Sequence, residues 1–265
     1  MSKNLKTLVR DLLPKRYQVP AKYWYGRVRG GLEEEMKFLP LLVHQGDRVI
    51  DIGGNRGVYA YQFWRLGARV EVFEPNPICF SVLESWAVGK LAVHLHSVAL
   101  SSRAGSANLH IPIDGFGVEH DASASIEQTG FPQARDQLVS LRTFDSYRFE
   151  SVGFIKIDVE GHEYAVLDGA SATITSSKPA LLVEIEQRHN KRPISEIFEK
   201  VQRFGYQGFF LERGGLKTLE MFDLSRHQAI GNFGGRGAYI NNFLFLHRSR
   251  LEAGEYAALI SGLLK

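Results

Sequence analysis

Five apolar runs of strand length recur along this chain, at 48–53, 69–74, 91–100, 154–159 and 180–186. Four of them are followed by helical periodicity, at 58–66, 77–88, 163–174 and 193–204. Runs that are apolar throughout suit strands covered on both faces. The alternation predicts a mostly parallel sheet with helices on both sides. Residues 206–219 read as a hairpin turning at Gly214-Gly215, and 239–247 as a last strand, so the finish is antiparallel. Residues 32–43 read as a helix kinked at Pro40. Residues 103–140 have little periodicity and many Gly, Ser, Asp and Gln. They predict a hairpin followed by a long mobile loop, of the kind that is functional or disordered.

Composition narrows the class. The 265 residues are 44% hydrophobic and 23% charged, which suits one large domain and excludes coiled-coil and disordered readings. Cys79 is the single cysteine, so no internal disulfide or multi-cysteine metal site exists, and a reducing compartment is expected. No apolar run reaches the roughly 18–20 residues of a bilayer span. The start lacks a small-residue cleavage site. A soluble, cytoplasmic protein is therefore expected. Residues 1–30 carry +7 and the remainder −4. Leu5, Leu8, Val9, Leu12 and Leu13 form an amphipathic stripe in this basic segment. Docking on its own domain or on a second subunit of a homodimer is the first reading. Contact with an anionic membrane surface is the second. Nucleic acid fits least, because the stripe is aliphatic and no recognition motif follows. The expected division is 1–30 as a basic segment, 31–250 as the main domain with a variable loop at 103–140, and 251–265 as a C-terminal helix. There is no internal repeat.

Ligands of open α/β sheets bind outside the carboxyl ends of the strands. The first strand ends in Asp51-Ile52-Gly53-Gly54-Asn55-Arg56-Gly57. Asn55 and Val58 stand where a dinucleotide fingerprint needs glycine, and no P-loop Gly-Lys-Ser/Thr follows. Asp51 suits a ligand amine rather than a phosphate. The second strand ends in Glu74, at the spacing of a carboxylate that accepts ribose hydroxyls. Together these favour an adenosine ligand without phosphates, and S-adenosylmethionine fits.

The residues then match a family. Asp51-Ile52-Gly53-Gly54-Asn55-x-Gly57, Phe73-Glu74-Pro75-x-Pro77, the run 155–163 with Val166-Leu167-x-Gly169-Ala170, and Lys178-Pro179-x-Leu181-Leu182-x-Glu184-Ile185 resemble the FkbM-type methyltransferases in order and spacing. The resemblance covers about residues 30–247. It implies a class I methyltransferase, Rossmann-like α/β fold: a mostly parallel seven-stranded sheet with an antiparallel last strand and helices on both faces. It implies S-adenosylmethionine as donor and O-methylation of a saccharide or glycosylated natural product. An N- or carboxyl-methyltransferase and a non-catalytic donor-binding partner module are the alternatives. Gly54 stands where the family usually has Ala, an exchange expected to be harmless. Ser102 stands where the family often has an acid, at an adenine-side contact.

Asp51, Gly53, Asn55, Gly57, Glu74, Ser101 and Asp158 are the expected donor-binding residues. His162, in a Gly-His-Glu turn, is the first candidate base, since imidazole titrates near neutrality. Asp158 and Glu186 complete the catalytic candidates. Glu184 and Glu186 share a strand face. With Asp158 they could gather a divalent metal, or pair with Lys156; the metal is not favoured. His94, His96 and His110 read as alternate exposed positions. The glycine-rich stretch 231–237 reads as a lid, with Arg226 and Arg236 able to hold an acceptor's anionic group.

Overall fold

The computed structural model describes residues 13–115, 117, 119–120, 123–127, 133–229, 231 and 239–263. Leu5, Leu8, Val9, Leu12 and Arg236 lie outside the described residues. The strands are β1 Arg48–Ile52, β2 Arg69–Phe73, β3 Val93–His96, β4 Ala99–Leu100, β5 Gly105–Pro112, β6 Ala134–Arg142, β7 Val152–Ile157, β8 Ala180–Glu184, β9 Tyr206–Glu212, β10 Gly215–Thr218 and β11 Asn242–His247. The helices are α1 Lys15–Arg29, α2 Val58–Arg65, α3 Pro77–Ala87, α4 Glu163–Gly169, α5 Ser171–Ser177, α6 Ser195–Arg203, α7 Leu224–His227, α8 Arg248–Glu252 and α9 Ala257–Leu263.

The main sheet runs β10-β9-β11-β8-β7-β1-β2-β3. Its centre is parallel, and β11 is antiparallel to both β8 and β9. The antiparallel finish is as expected, but the sheet has eight strands rather than seven. The extra one is β10, the outer arm of the closing hairpin. Its turn is Arg213-Gly214, both at positive φ, one residue earlier than the sequence suggested.

Four other expectations are corrected. The run 91–100 breaks into β3, on the main sheet, and β4, in a small sheet of order β4-β6-β5. β5 and β6 pair from Gly105↔Leu141 to Pro112↔Ala134, so the long connection joins the hairpin's arms instead of following it. Residues 32–43 form two 3₁₀ turns, Glu34–Lys37 and Leu39–Leu41. Pro40 has no N–H to continue an α-helix, and its ring would crowd the carbonyl four residues back. The helix at 163–174 is split between α4 and α5. The Asp145 carboxylate accepts the Ala172 and Thr173 amides at 2.9 Å, capping α5 from outside.

Side-chain alternation separates two cores. Val49, Val70, Val72 and Phe154 pack beside Val19, Tyr23, Phe63 and Leu83 from α1, α2 and α3. Ile50, Ile52, Ile155 and Ile157 pack beside Leu167, Ile174 and Phe198 from α4, α5 and α6. No helix among the described residues is long and apolar enough to cross a membrane.

Candidate active site

The same alternation gathers polar residues at one end of one sheet face. Asp51 is opposite Lys156 in the β1–β7 register, and Glu184 is opposite Asn242 between β8 and β11. Lys156 is fully buried. Its ammonium donates to Asn242 Oδ1 at 3.1 Å and lies 3.7 Å from Glu184 and 3.9 Å from Asp158. Burial opposes this charge, but Asp158, Glu184, Glu33 and Asp51 outweigh it and hold the ammonium above its usual range. Glu33 accepts from Tyr59 Oη at 2.5 Å and from Asn242 Nδ2 at 3.2 Å.

Glu184 and Glu186 do share a face, and Asn241 Nδ2 reaches both, at 2.7 and 3.4 Å. Glu186 is buried. It accepts from Arg188 Nε at 2.5 Å and Nη2 at 3.1 Å, and from Tyr239 Oη at 2.6 Å. The three acids of the metal reading thus lie beside Lys156 or Arg188. Among the described residues no group of three or more His, Cys, Asp or Glu could hold a metal ion.

The cleft opens at the carboxyl ends of β1, β2 and β7. Here the chain stops building outward through β2 and β3 and crosses back to β7. With its open mouth it encloses about 600 Å³, and Gly53, Asn55, Glu74, Asp158 and His162 line it. Gly53 has φ +80°, and a Cβ there would fall 1.8 Å from the Asp158 carbonyl oxygen. Only glycine permits this approach. Glu74 is buried, and its Oε2 and Oε1 accept the Asn55 and Asn76 amides at 2.6 and 2.7 Å. Each oxygen keeps capacity for a second donor. Burial raises Glu74 to about 7, against those amides. Asp51 is buried beneath the loop with Oδ2 unpartnered. Burial also raises it to about 7, opposed by Lys156.

Gly57 does not line the cleft; a Cβ there would fall 2.7 Å from Leu83 Cδ2 and 3.2 Å from Val19 Cγ1. Its constraint is packing against α3 and α1. Gly54 is not the harmless exchange the sequence suggested. A Cβ there would meet Val72 Cγ1 at 2.3 Å. We expect Gly54→Ala to cost about 1–3 kcal/mol in urea unfolding. Combining it with Val72→Ala should recover part of that loss. Full stability of the single variant would contradict this close fit.

His162 precedes α4 at the cleft wall. Its Nδ1 lies 2.8 Å from Glu127 Oε1 and its Nε2 lies 3.0 Å from Ser101 Oγ. Glu127 belongs to the connection between β5 and β6. That segment is also tied down by Ser125 Oγ, which donates to the Glu160 carbonyl at 2.6 Å. Ser101 therefore meets the cleft through His162. Glu160 lines the cleft at φ +49°, and burial beside Asp158 and Glu186 raises it to about 8.

Other residues are not brought to the site. His96 is half-buried, 2.8 Å from Glu71 and stacked on Phe73, not an exposed alternate. His110 pairs with Asp136 at 2.6 Å. Arg226 pairs with Glu212. Sequence reasoning missed Glu127 and Glu160. The signal for Glu160 was its place after β7; Glu127 lies in an aperiodic segment and gave none.

Buried carboxyls make stability pH-dependent. Glu35, Asp51 and Glu74 are raised to about 7, and Glu160 to about 8, chiefly by burial. A carboxyl raised in the folded state stabilises it below the unfolded value, and that contribution is lost as pH rises through the folded value. His189 and His247, lowered chiefly by burial, work in the opposite direction. The protein should therefore melt at a lower temperature at pH 8 than at pH 5.5, since the four raised carboxyls outweigh the two lowered histidines. A melting temperature that rises across this interval would contradict these assignments.

The fold and the cleft define a class I methyltransferase architecture. A family model described as the methyltransferase FkbM domain matches residues 51–207. The chain belongs to the FkbM methyltransferase family. The solved methyltransferase FkbM from Methylobacillus flagellatus KT is 14% identical, with TM-score 0.50 over 91% of this chain and 57% of that one. The chain thus spans little more than half of that protein. A precorrin-6y C5,15-methyltransferase from Geobacter metallireducens GS-15 is 11% identical, with TM-score 0.43 over 81% of this chain and 88% of that one. No curated protein matches.

Proposed function

We propose that the chain is an S-adenosylmethionine-dependent O-methyltransferase whose acceptor is a hydroxyl of a saccharide or glycosylated small molecule. The observation that carries the donor reading is Glu74. It is a buried carboxylate with each oxygen held by one amide and each able to take one hydroxyl of a ribose diol. Gly53 and Asn55 give the backbone approach, and the unpartnered Asp51 Oδ2 suits the donor's ammonium. When bound, the donor supplies a methyl group on a sulfonium, open to in-line attack. Family membership and the few polar groups, Asn55, Glu74 and Asp158 among them, set in a largely apolar cleft support the same reading.

Asp158 lines the cleft and is the residue we assign to positioning the reactants. Ser101, held by His162, is assigned to the adenine side. His162 is the proposed base, with Glu127 orienting its ring as the triad logic requires. That role needs Nε2 to exchange Ser101 for the acceptor hydroxyl. Glu186, enclosed by Arg188 and Tyr239, is assigned to positioning through them. His162→Ala should lower kcat by about 10²-fold or more while donor affinity is retained. Unchanged turnover would remove His162 from the mechanism. The acceptor class is tested by offering a panel of saccharides with methyl-labelled donor. Base-stable label on a sugar oxygen supports the proposal; label on nitrogen or a carboxylate replaces it with the alternative.

A further inference from the structure

Helix α1 has two apolar faces, and among the described residues only one is covered by the domain. Val19 and Tyr23 are buried against α2 and α3, and Gly26 is buried beneath Leu32. Tyr17, Ala21, Trp24 and Val28 recur at i, i+4, i+7 and i+11, which forms a single stripe along the other side. That stripe faces outward: Tyr17 is 48%, Trp24 44% and Val28 80% exposed. A helix serving only to cover its own domain would carry polar residues there.

The charges beside the stripe have one sign. Arg16 and Arg27 flank one edge, and Lys22 and Arg29 the other. No Asp or Glu lies within Lys15–Arg29. Arg16 sits 4.7 Å from the Tyr17 ring centre, and Arg27 and Arg29 sit 5.9 Å from those of Trp24 and Tyr25. Aromatic rings and guanidinium heads at one level match the headgroup zone of a bilayer, where each amphipathic side chain meets both an apolar and a wet layer. Residues 1–30 carry +7 in a chain of net +3.

We propose that the outward face of α1 docks on an anionic lipid bilayer. Charge complementarity selects this occupant. A second copy would bring two like-charged faces together, which works against association. The docking does not depend on the donor or acceptor assignment, because it is measured without turnover.

The test is co-sedimentation of the full chain with vesicles, either phosphatidylcholine alone or phosphatidylcholine mixed with phosphatidylserine. The protein should pellet with the mixed vesicles, remain in solution with the neutral ones, and be released by high salt. A triple Arg16→Gln, Arg27→Gln, Arg29→Gln variant should partition about 100-fold more weakly, at roughly fivefold per charge. Trp24→Ser with Val28→Ser should weaken binding while leaving the circular-dichroism melt in place, since both side chains face out. Failure to pellet with mixed vesicles would overturn the proposal, as would undiminished binding by the triple variant. A concentration-dependent dimer abolished by the Trp24/Val28 variant, without vesicle binding, would assign the face to a second copy instead.

Discussion

Replacing Lys156 with methionine is expected to lower the unfolding free energy by about 3–5 kcal/mol. The side chain would fit, but its charge would be gone. Asp158 and Glu184 would lose the cation 3.9 and 3.7 Å away, and Asn242 would lose a donor. Truncating one partner of a buried charge cluster leaves the others uncompensated in a medium that cannot solvate them. The deficit should narrow as pH falls, because the neighbouring carboxyls then take up protons. Urea unfolding of both proteins at pH 5.5 and 8 measures this. A loss below about 1 kcal/mol at both values would mean that water or rearrangement replaces the ammonium.

Glu74→Ala is expected to weaken S-adenosylmethionine binding by about 10²–10⁴-fold, the equivalent of losing two hydrogen bonds to a charged group. The variant also leaves the Asn55 and Asn76 amides without their acceptor. The loop would therefore lose order as well as a ligand contact. Glu74→Gln separates the two effects. Its amide can serve one loop N–H but must present a donor to the other, so affinity should fall between those of the parent and the alanine variant. Equal affinity in all three proteins would remove Glu74 from the donor site.

The parallel centre of the sheet was legible because residues such as Val49-Ile50 and Leu181-Leu182-Val183 are apolar on both faces. Period-two alternation alone then placed Glu184 beside Glu186. The ends of elements were harder to read. Gly169 looks like any helix terminator, yet its form is set by the Ser101 carbonyl, 2.1 Å from where its Cβ would be. That contact comes from a segment 68 positions earlier, and local pattern cannot reveal it. The strand at 91–100 looked continuous because its break follows from which sheet each half joins. At the site, Gly53, Asn55, Glu74, Asp158 and His162 were found from strand-end position and family motif, and they do line one cleft. Gly57 was found by the same motif, but its role is packing. Glu127 escaped because its partner, His162, is supplied by tertiary contact across an aperiodic stretch. Lys156 was legible as a cation near acids. That it would sit fully buried among Asp51, Asp158, Glu184 and Glu33 required the register of four strands.

The most direct measurement is calorimetric titration of the unmodified protein with S-adenosylmethionine and, separately, with its demethylated product. The account predicts saturable one-site binding of both, since Glu74, the proposed ribose-binding carboxylate, is held by the Asn55 and Asn76 amides of the chain's own fold. A folded sample that takes up neither, with and without a saccharide acceptor present, would contradict the assignment of the cleft at Gly53, Glu74 and Asp158 as the donor site.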